Sequence, residues 1–266
     1  MINKTLYARE MKNSLKLLVI LAAVIALYAG IIIYMYEPEL MALLDSYAIA
    51  MPEMMASVGM TAGATDLLGF LISYLYGFIL LVFPMIFSIL RANSLLAKYT
   101  TNGAMSYLLA APVSRLRIIA TQIAALVSGI LLLLIFTTAL EIGVAEYFFP
   151  GELALPDLFT VNAGLLCLQL FIASLCLLFS ALCSDSKISL GFGAGIPTLA
   201  FILQMLANTG DKAADLKYAT FFTLFDPTGL AAGDTSALLQ SGILLLAAIL
   251  CFALAGLVFC RKSLSI

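Results

Sequence analysis

The 266-residue sequence contains no histidine. That absence removes the side chain that titrates near neutral pH and the commonest protein metal ligand, which weakens most hydrolase and metalloenzyme readings. Charge is scarce too: 11% of residues are Asp, Glu, Lys or Arg, against about a quarter in an ordinary soluble domain. A net charge of −2 with a pI near 5.1 leaves no basic face to neutralise phosphates, so nucleic acid is excluded as a partner. The five cysteines (Cys167, Cys176, Cys183, Cys251 and Cys260) all lie in apolar runs and never approach a C-x-x-C spacing, which argues against a disulfide framework or a zinc site. A phosphate-cradling loop is missing as well. The nearest glycine cluster, Gly191-Phe-Gly-Ala-Gly195, lacks the G-K-[ST] ending, so the chain is expected to hold no cofactor and any ATP to be bound by another chain.

What the sequence has in excess is apolar surface. Hydrophobic residues make up 64% of the chain and mean hydropathy is +1.13, more than one water-facing domain of this size can bury, so lipid must cover much of it. A bilayer core of about 30 Å needs about 20 apolar residues in helix. Six charge-free intervals qualify: 17–36, 67–90, 118–140, 158–184, 188–210 and 235–260. A β-barrel would alternate in segments of about ten residues, whereas stretches such as Ile130 to Phe136 are apolar on every face. The expectation is an all-α polytopic membrane protein with six transmembrane helices, forming one transmembrane domain over residues 1–266. No connection reaches the usual floor of about 50 residues for a separate soluble domain.

Eleven of the thirteen basic residues fall in alternate connections: Lys4, Arg9, Lys12 and Lys16; Arg91, Lys98, Arg115 and Arg117; Lys187; Arg261 and Lys262. The positive-inside rule assigns these, and both termini, to the cytoplasm. Thirteen of the fifteen acids occupy the other side, with only Lys212 and Lys217 opposing the rule. Although Ala48-Ile-Ala50 resembles a small-residue cleavage site, the first apolar run is too long for a signal peptide and ends well before it, so that run is read as an anchor.

Between the spans, residues 3–16 place Tyr7, Met11 and Leu15 on one helical face with Arg9, Lys12 and Lys16 opposite, the pattern of an interfacial elbow helix. Residues 91–117 read as helix, turn at Asn102-Gly103, short helix, and a stop at Pro112, with exposed Arg and Lys suited to docking. Residues 37–66 hold Met41, Met51, Met54, Met55 and Met60. Their thioethers could in principle hold Cu(I), but the segment has no His or Cys to complete a tight site, and a short amphipathic cap is the favoured reading. Tyr218, Phe221, Phe222 and Phe225 precede a turn at Asp226-Pro227; they fit an aromatic belt or a re-entrant element equally, whereas Tyr147, Phe148 and Phe149 fit the belt.

Inside the six intervals no Asp, Glu, Lys or Arg appears, which disfavours ion coupling through a buried carboxylate. Gln122, Asn162, Gln169 and Gln204 are expected to hydrogen-bond between helices. Pro84 and Pro197 are expected to kink theirs. Gly191 and Gly195, one turn apart, permit close helix packing.

The whole pattern resembles the membrane subunit of ABC type-2 exporters, six-span permeases that pair with a separate ATP-binding-cassette protein. The resemblance is carried by the N-terminal elbow, by Asn102-Gly-Ala-Met-Ser-Tyr-Leu-Leu-Ala-Ala-Pro-Val-Ser-Arg115, and by the Phe-Asp-Pro turn before the last span. Where family members commonly have an acidic residue several positions before the glycine, this chain has Lys98 and Thr101. The resemblance implies a transport subunit with no ATPase site of its own, a permease homodimer, two ABC ATP-binding subunits as partners, and residence among the lipids of a bacterial plasma membrane. It further implies an ATPase-coupling segment that includes Arg91, Asn93, Lys98, Gly103, Leu108, Pro112 and Arg115, and an extracellular re-entrant turn of Phe221, Phe222, Phe225, Asp226 and Pro227. A secondary transporter or channel without an ATPase is the alternative, and an integral-membrane enzyme is disfavoured by the missing histidine.

Overall fold

A computed structural model of the chain describes residues 2–37, 43, 46–47, 50–60, 66–110, 112–209 and 211–262. Met41 of the methionine-rich segment lies outside these. The described residues form helices and turns, with no strand among them.

Helix α1 (Lys4–Tyr34) begins where the Asn3 side chain accepts hydrogen bonds from the backbone N–H groups of Thr5 and Leu6, the usual way of satisfying orphaned first-turn donors. It then runs unbroken for 31 residues, about 46 Å at 1.5 Å per residue. The expected elbow over residues 3–16 is therefore not a separate helix. Nothing near Lys16 and Leu17 breaks the backbone, and one stripe, Leu6, Glu10, Ser14, Leu18, Leu21, Ile25, Ala29 and Ile33, is buried from end to end. That stripe also displaces the expected apolar face: Leu15 is exposed, while Glu10 faces inward.

After the short α2 (Pro52–Ser57), the second apolar interval is two pieces rather than one span. Helix α3 (Leu67–Leu71) passes into a π-helical turn, Ile72–Tyr76, and α4 (Ile79–Leu95) begins anew after Gly77 and Phe78. Backbone against backbone explains the position of the break: a Cβ on Gly77 would lie 2.8 Å from the Val58 carbonyl oxygen and 3.1 Å from Gly59 Cα. The helix is thus broken where the preceding connection presses in, not at Pro84, which removes only its own ladder bond and sits inside the continuous α4.

Two short helices, α5 (Ala97–Thr101) and α6 (Ala104–Ala110), lead to α7 (Arg115–Phe148), which is capped by Ser114. Helix α7 continues past the expected end at Leu140 and carries Glu141 within it. Then come α8 (Leu155–Leu182) and α9 (Ser186–Asn208), the 3-10 turns Asp211–Ala219 and Phe221–Leu224, α10 (Pro227–Ala231) and α11 (Thr235–Arg261). Among the described residues, six stretches are long and apolar enough to cross a membrane: α1, Ile79–Thr101, α7, α8, α9 and α11.

Helix α8 is the axis of the bundle. Leu158, Val161, Leu165, Leu168, Ile172 and Leu177 along it are wholly buried, and α4, α7, α9 and α11 pack around it. Helix α1 lies against α7. The outer faces of α9 and α11 are apolar and open: Phe192 and Leu199 are 52% and 58% exposed, Leu239 and Leu250 70% and 64%. Such faces are untenable in water and satisfied by acyl chains. Because lipid tails are as apolar as Leu, helix association inside the bilayer rests on close packing and interhelical hydrogen bonds rather than on hydrophobic burial.

Candidate functional site

At the basic end of the bundle, one ion pair joins the first helix to the fourth. Arg91 Nη2 lies 3.1 Å from Glu10 Oε2 and donates to the Glu10 carbonyl at 3.1 Å, while Nη1 donates to Ser94 Oγ at 2.9 Å. The other carboxylate oxygen of Glu10 accepts from Tyr99 Oη at 2.5 Å. The side chains of Arg91 and Glu10 are 9% and 1% exposed. Arg91, expected as an exposed docking cation, is thus an internal tie. The sequence pattern missed Glu10 because charged residues on a basic amphipathic segment read as solvent-facing; its one signal was being an acid among basic neighbours. A polar cleft of about 440 Å³ opens beside the pair, bordered by Arg9, Asn13, Lys98 and Asn102.

The segment 91–117 has the expected shape of short helix, turn and short helix. Asn102 closes α5, and Gly103 turns the chain with φ of +71°, a conformation that costs other L-residues about 1–2 kcal/mol. Lys98, Asn102 and Pro112 are solvent-facing, and Leu108 is half-buried against the core. Three other residues anchor the segment. Asn93 Nδ2 donates to Ser186 Oγ at the start of α9 (2.9 Å), and the Ser186 N–H donates to Thr101 Oγ1 (2.8 Å). Arg115 Nη1 donates to the Lys262 carbonyl at 2.8 Å, just beyond α11. Lys262 in turn donates to the carbonyls of Ala181 and Leu182, at 3.0 and 2.8 Å. Partial burial lowers its ammonium from the usual lysine range, opposed by the neighbouring Cys183. Arg91, Asn93 and Arg115 thus each enter a separate set of contacts, which together tie α1 to α4, α4 to α9, and α7 to the end of α11 and to α8, and Lys98 and Pro112 enter none of these.

At the opposite, acidic end, Phe222 and Phe225 are buried, and Phe221 meets Phe171 at 5.1 Å between ring centroids. Asp226 caps α10 by accepting from Gly229 N at 3.0 Å, and Pro227 occupies the first helical position, where its missing N–H costs nothing. The three phenylalanines fold inward, Phe221 and Phe222 against Phe171 of α8 and Phe201 of α9, while Asp226 stays exposed at the turn. The aromatic cluster instead forms among Tyr34, Tyr36, Phe70, Phe148 and Phe149, with Tyr36 and Phe149 edge-to-face at 5.2 Å. Desolvation, with Glu152 and Asp66 nearby, raises the Tyr36 hydroxyl above the ordinary tyrosine range. A cavity of about 200 Å³ lies between the π-turn, α9 and α10, lined by Tyr76, Gln204, Asn208, Phe222, Phe225 and Thr228. Met51, Met54, Met55 and Met60 line a separate apolar cavity of about 540 Å³ against α1 and α4.

The polar residues expected to link helices do so at three of four positions. Gln169 Nε2 donates to the carbonyls of both Leu80 and Leu81 at 3.1 Å, just past the break before α4. Asn162 donates to Glu141, and Gln204 accepts from Thr223 Oγ1 at 2.9 Å. Both amide atoms of the fully buried Gln122 are without a partner. Glu141 overturns the expectation that the membrane-spanning helices carry no ionisable group: it is 0% exposed, inside α7, bonded to Tyr76 and Asn162. Glu141 directly follows the charge-free interval 118–140, and only tertiary packing distinguishes a helix end at the interface from a helix that continues.

Fold and exposure together define a multi-pass helical membrane protein. Compared with family models, characterised protein sequences and solved structures, the chain matches none of them.

Proposed function

We propose that this chain is the membrane-spanning permease subunit of an ATP-driven ABC exporter, working as a homodimer in a bacterial plasma membrane with both termini cytoplasmic. Two separate ATP-binding subunits would dock beneath residues 91–117. The observation that supports this reading best is mechanical. The short helix α5, at the end of the second candidate span, is tied to α1, α8 and α9 by Tyr99–Glu10, Ala97–Ser180 and Thr101–Ser186, and the residues flanking α5 and α6 are tied by Arg91–Glu10 and Arg115–Lys262, so a push on α5 and α6 reaches the bundle without first being absorbed by a slack loop. The inward-folded Phe221 to Ala231 stretch suits the re-entrant role at the opposite mouth. The open apolar face of α9, with Gly191 and Gly195 on it, suits a second copy.

Affinity purification of the tagged chain from membranes tests this: an ABC ATPase should accompany it, and cysteines placed along 91–117 should crosslink to that ATPase. Recovery of the chain with no ATPase, or crosslinks only from the Lys187 region, refutes the assignment.

One observation favours a second reading, a secondary transporter. Glu141 supplies the buried carboxylate whose absence from the spans had counted against ion coupling. Solute uptake or efflux in vesicles driven by an ion gradient without ATP would decide for it.

A further inference from the structure

Glu141 stands in α7 seven residues before the helix ends, and it is wholly buried. Its two oxygens are treated unequally. Oε2 accepts from Tyr76 Oη at 3.1 Å and from Asn162 Nδ2 at 3.2 Å, whereas Oε1 has no hydrogen-bond partner. Asn162 is 8% exposed, and its Oδ1 is likewise buried without a partner. Two unmet acceptors in an apolar interior ask for a positive hydrogen or a cation.

Among the described residues, the helices packed around it place no side-chain cation to supply it. Helix α1 carries its charges between Lys4 and Lys16, α4 has only Arg91, and that arginine is committed to Glu10. The basic residues of α7, Arg115 and Arg117, lie more than 20 residues away at its other end, and α11 has only Arg261, at its far end. The charged residue of α8 is Asp157, an acid, five residues before Asn162; Glu146, five residues beyond Glu141, is an exposed acid. The titratable group facing the carboxyl is Tyr76, on the π-turn. A cavity of about 410 Å³ between α7 and α8 reaches Asn162 and the polar cavity reaches Tyr76, while Glu141 itself is 0% exposed, its carboxyl enclosed by side chains.

The geometry points to Glu141 as a proton-binding site: in this packing the carboxyl is neutral, with the proton on Oε1, the oxygen that receives no donor. The proton leaves to water when the α3 and π-turn half-helix moves off α7. Tyr76 makes the two events one. It is the last residue before the break at Gly77, so it moves with the half-helix, and it also lines the polar cavity with Gln204, Asn208 and Thr228. Separating Tyr76 from Glu141 removes a donor and opens the carboxyl toward that cavity, where the ionised form is solvated. This site belongs to the chain by itself and does not depend on an ATPase partner.

The test uses the full-length purified chain in detergent. Infrared difference spectra across a pH jump should contain a protonated-carboxyl band that Glu141→Gln abolishes and Tyr76→Phe shifts, since the latter removes one hydrogen bond from the acid. Melting provides the second readout. The folded state keeps a proton that the unfolded chain gives up, so it binds more protons and loses stability as pH rises. The wild-type melting midpoint should therefore fall between about pH 5 and about pH 9, spanning the range from ordinary glutamate to buried acid, while Glu141→Gln stays level. If Glu141→Gln fails to fold, the band in wild type and its displacement in Tyr76→Phe carry the decision. A spectrum without such a band, pH dependence equal in wild type and Glu141→Gln, or a midpoint that follows sodium concentration at fixed pH overturns the assignment.

Discussion

Replacing Arg91 with leucine should destabilise the chain far more than replacing an exposed basic residue, and the structure gives the size of the effect. Arg91 contributes three hydrogen bonds, two of them to Glu10, and Glu10 is 1% exposed. Without the guanidinium, the carboxylate retains only the Tyr99 hydroxyl as a donor from another helix. Breaking a buried pair by removing one partner costs about 3–5 kcal/mol, because an uncompensated charge is left behind. Exposed pairs are worth only about 0–1 kcal/mol, so Lys98→Ala should fall within that smaller range. Removing both charges has a different outcome. Glu10→Leu with Arg91→Leu leaves no buried charge, and the loss reduces to the unmet bonds of Ser94 and Tyr99, about 1–2 kcal/mol. The assay is reversible unfolding in mixed micelles, titrated with a denaturing detergent and followed by circular dichroism, with the four proteins forming a double-mutant cycle. The double variant should be more stable than either single one. Costs that simply add would show that the two side chains are not coupled and would refute the reading of this junction as one buried unit.

Three further outcomes follow from named contacts. Gly77→Ala forces a methyl to within 2.8 Å of the Val58 carbonyl oxygen, so it should lower the melting temperature by an amount equivalent to about 1–3 kcal/mol, whereas Ala at Gly195, on the open outer face of α9 with free space around its Cβ position, should cost nothing in the monomer. Gly103→Pro cannot reach φ of +71° and loses the N–H bonded to the Thr100 carbonyl; together with Leu108→Asp it should abolish ATPase co-purification while leaving insertion in the membrane intact, and retained association would remove this turn from the docking surface. Gln169→Leu deletes the clasp on the Leu80 and Leu81 carbonyls and should cost about 0.6–1.7 kcal/mol in the same unfolding titration, with no change indicating that the clasp adds nothing to holding α8 on α4.

The class of fold was legible from composition because a bilayer imposes one length and one backbone solution. About 20 apolar residues without charge leave helix as the only open-chain structure, and the intervals could be read off by their bounding charges. The turn at Asn102-Gly103 and the stop near Pro112 were legible for a similar reason: they are local backbone chemistry, set by residues adjacent in sequence. The broken second interval was not, since residues 67–90 are charge-free throughout and the interruption comes from Gly59 pressing on Gly77 across 18 positions of chain. Nor was the character of the charged residues. Glu10, Arg91 and Glu141 look, in one dimension, like residues that flank spans and face water; helix α1 turns the first inward against the second, and α7 runs seven residues beyond the third. Sequence alone determined where lipid must lie and that helices must cross it, because those depend on the sum of apolar side chains along each segment. Only the tertiary structure decided which polar groups are enclosed with one another, because a charge is made a tie or a proton carrier by what packs around it from other helices, and hydropathy along one segment carries no record of its neighbours.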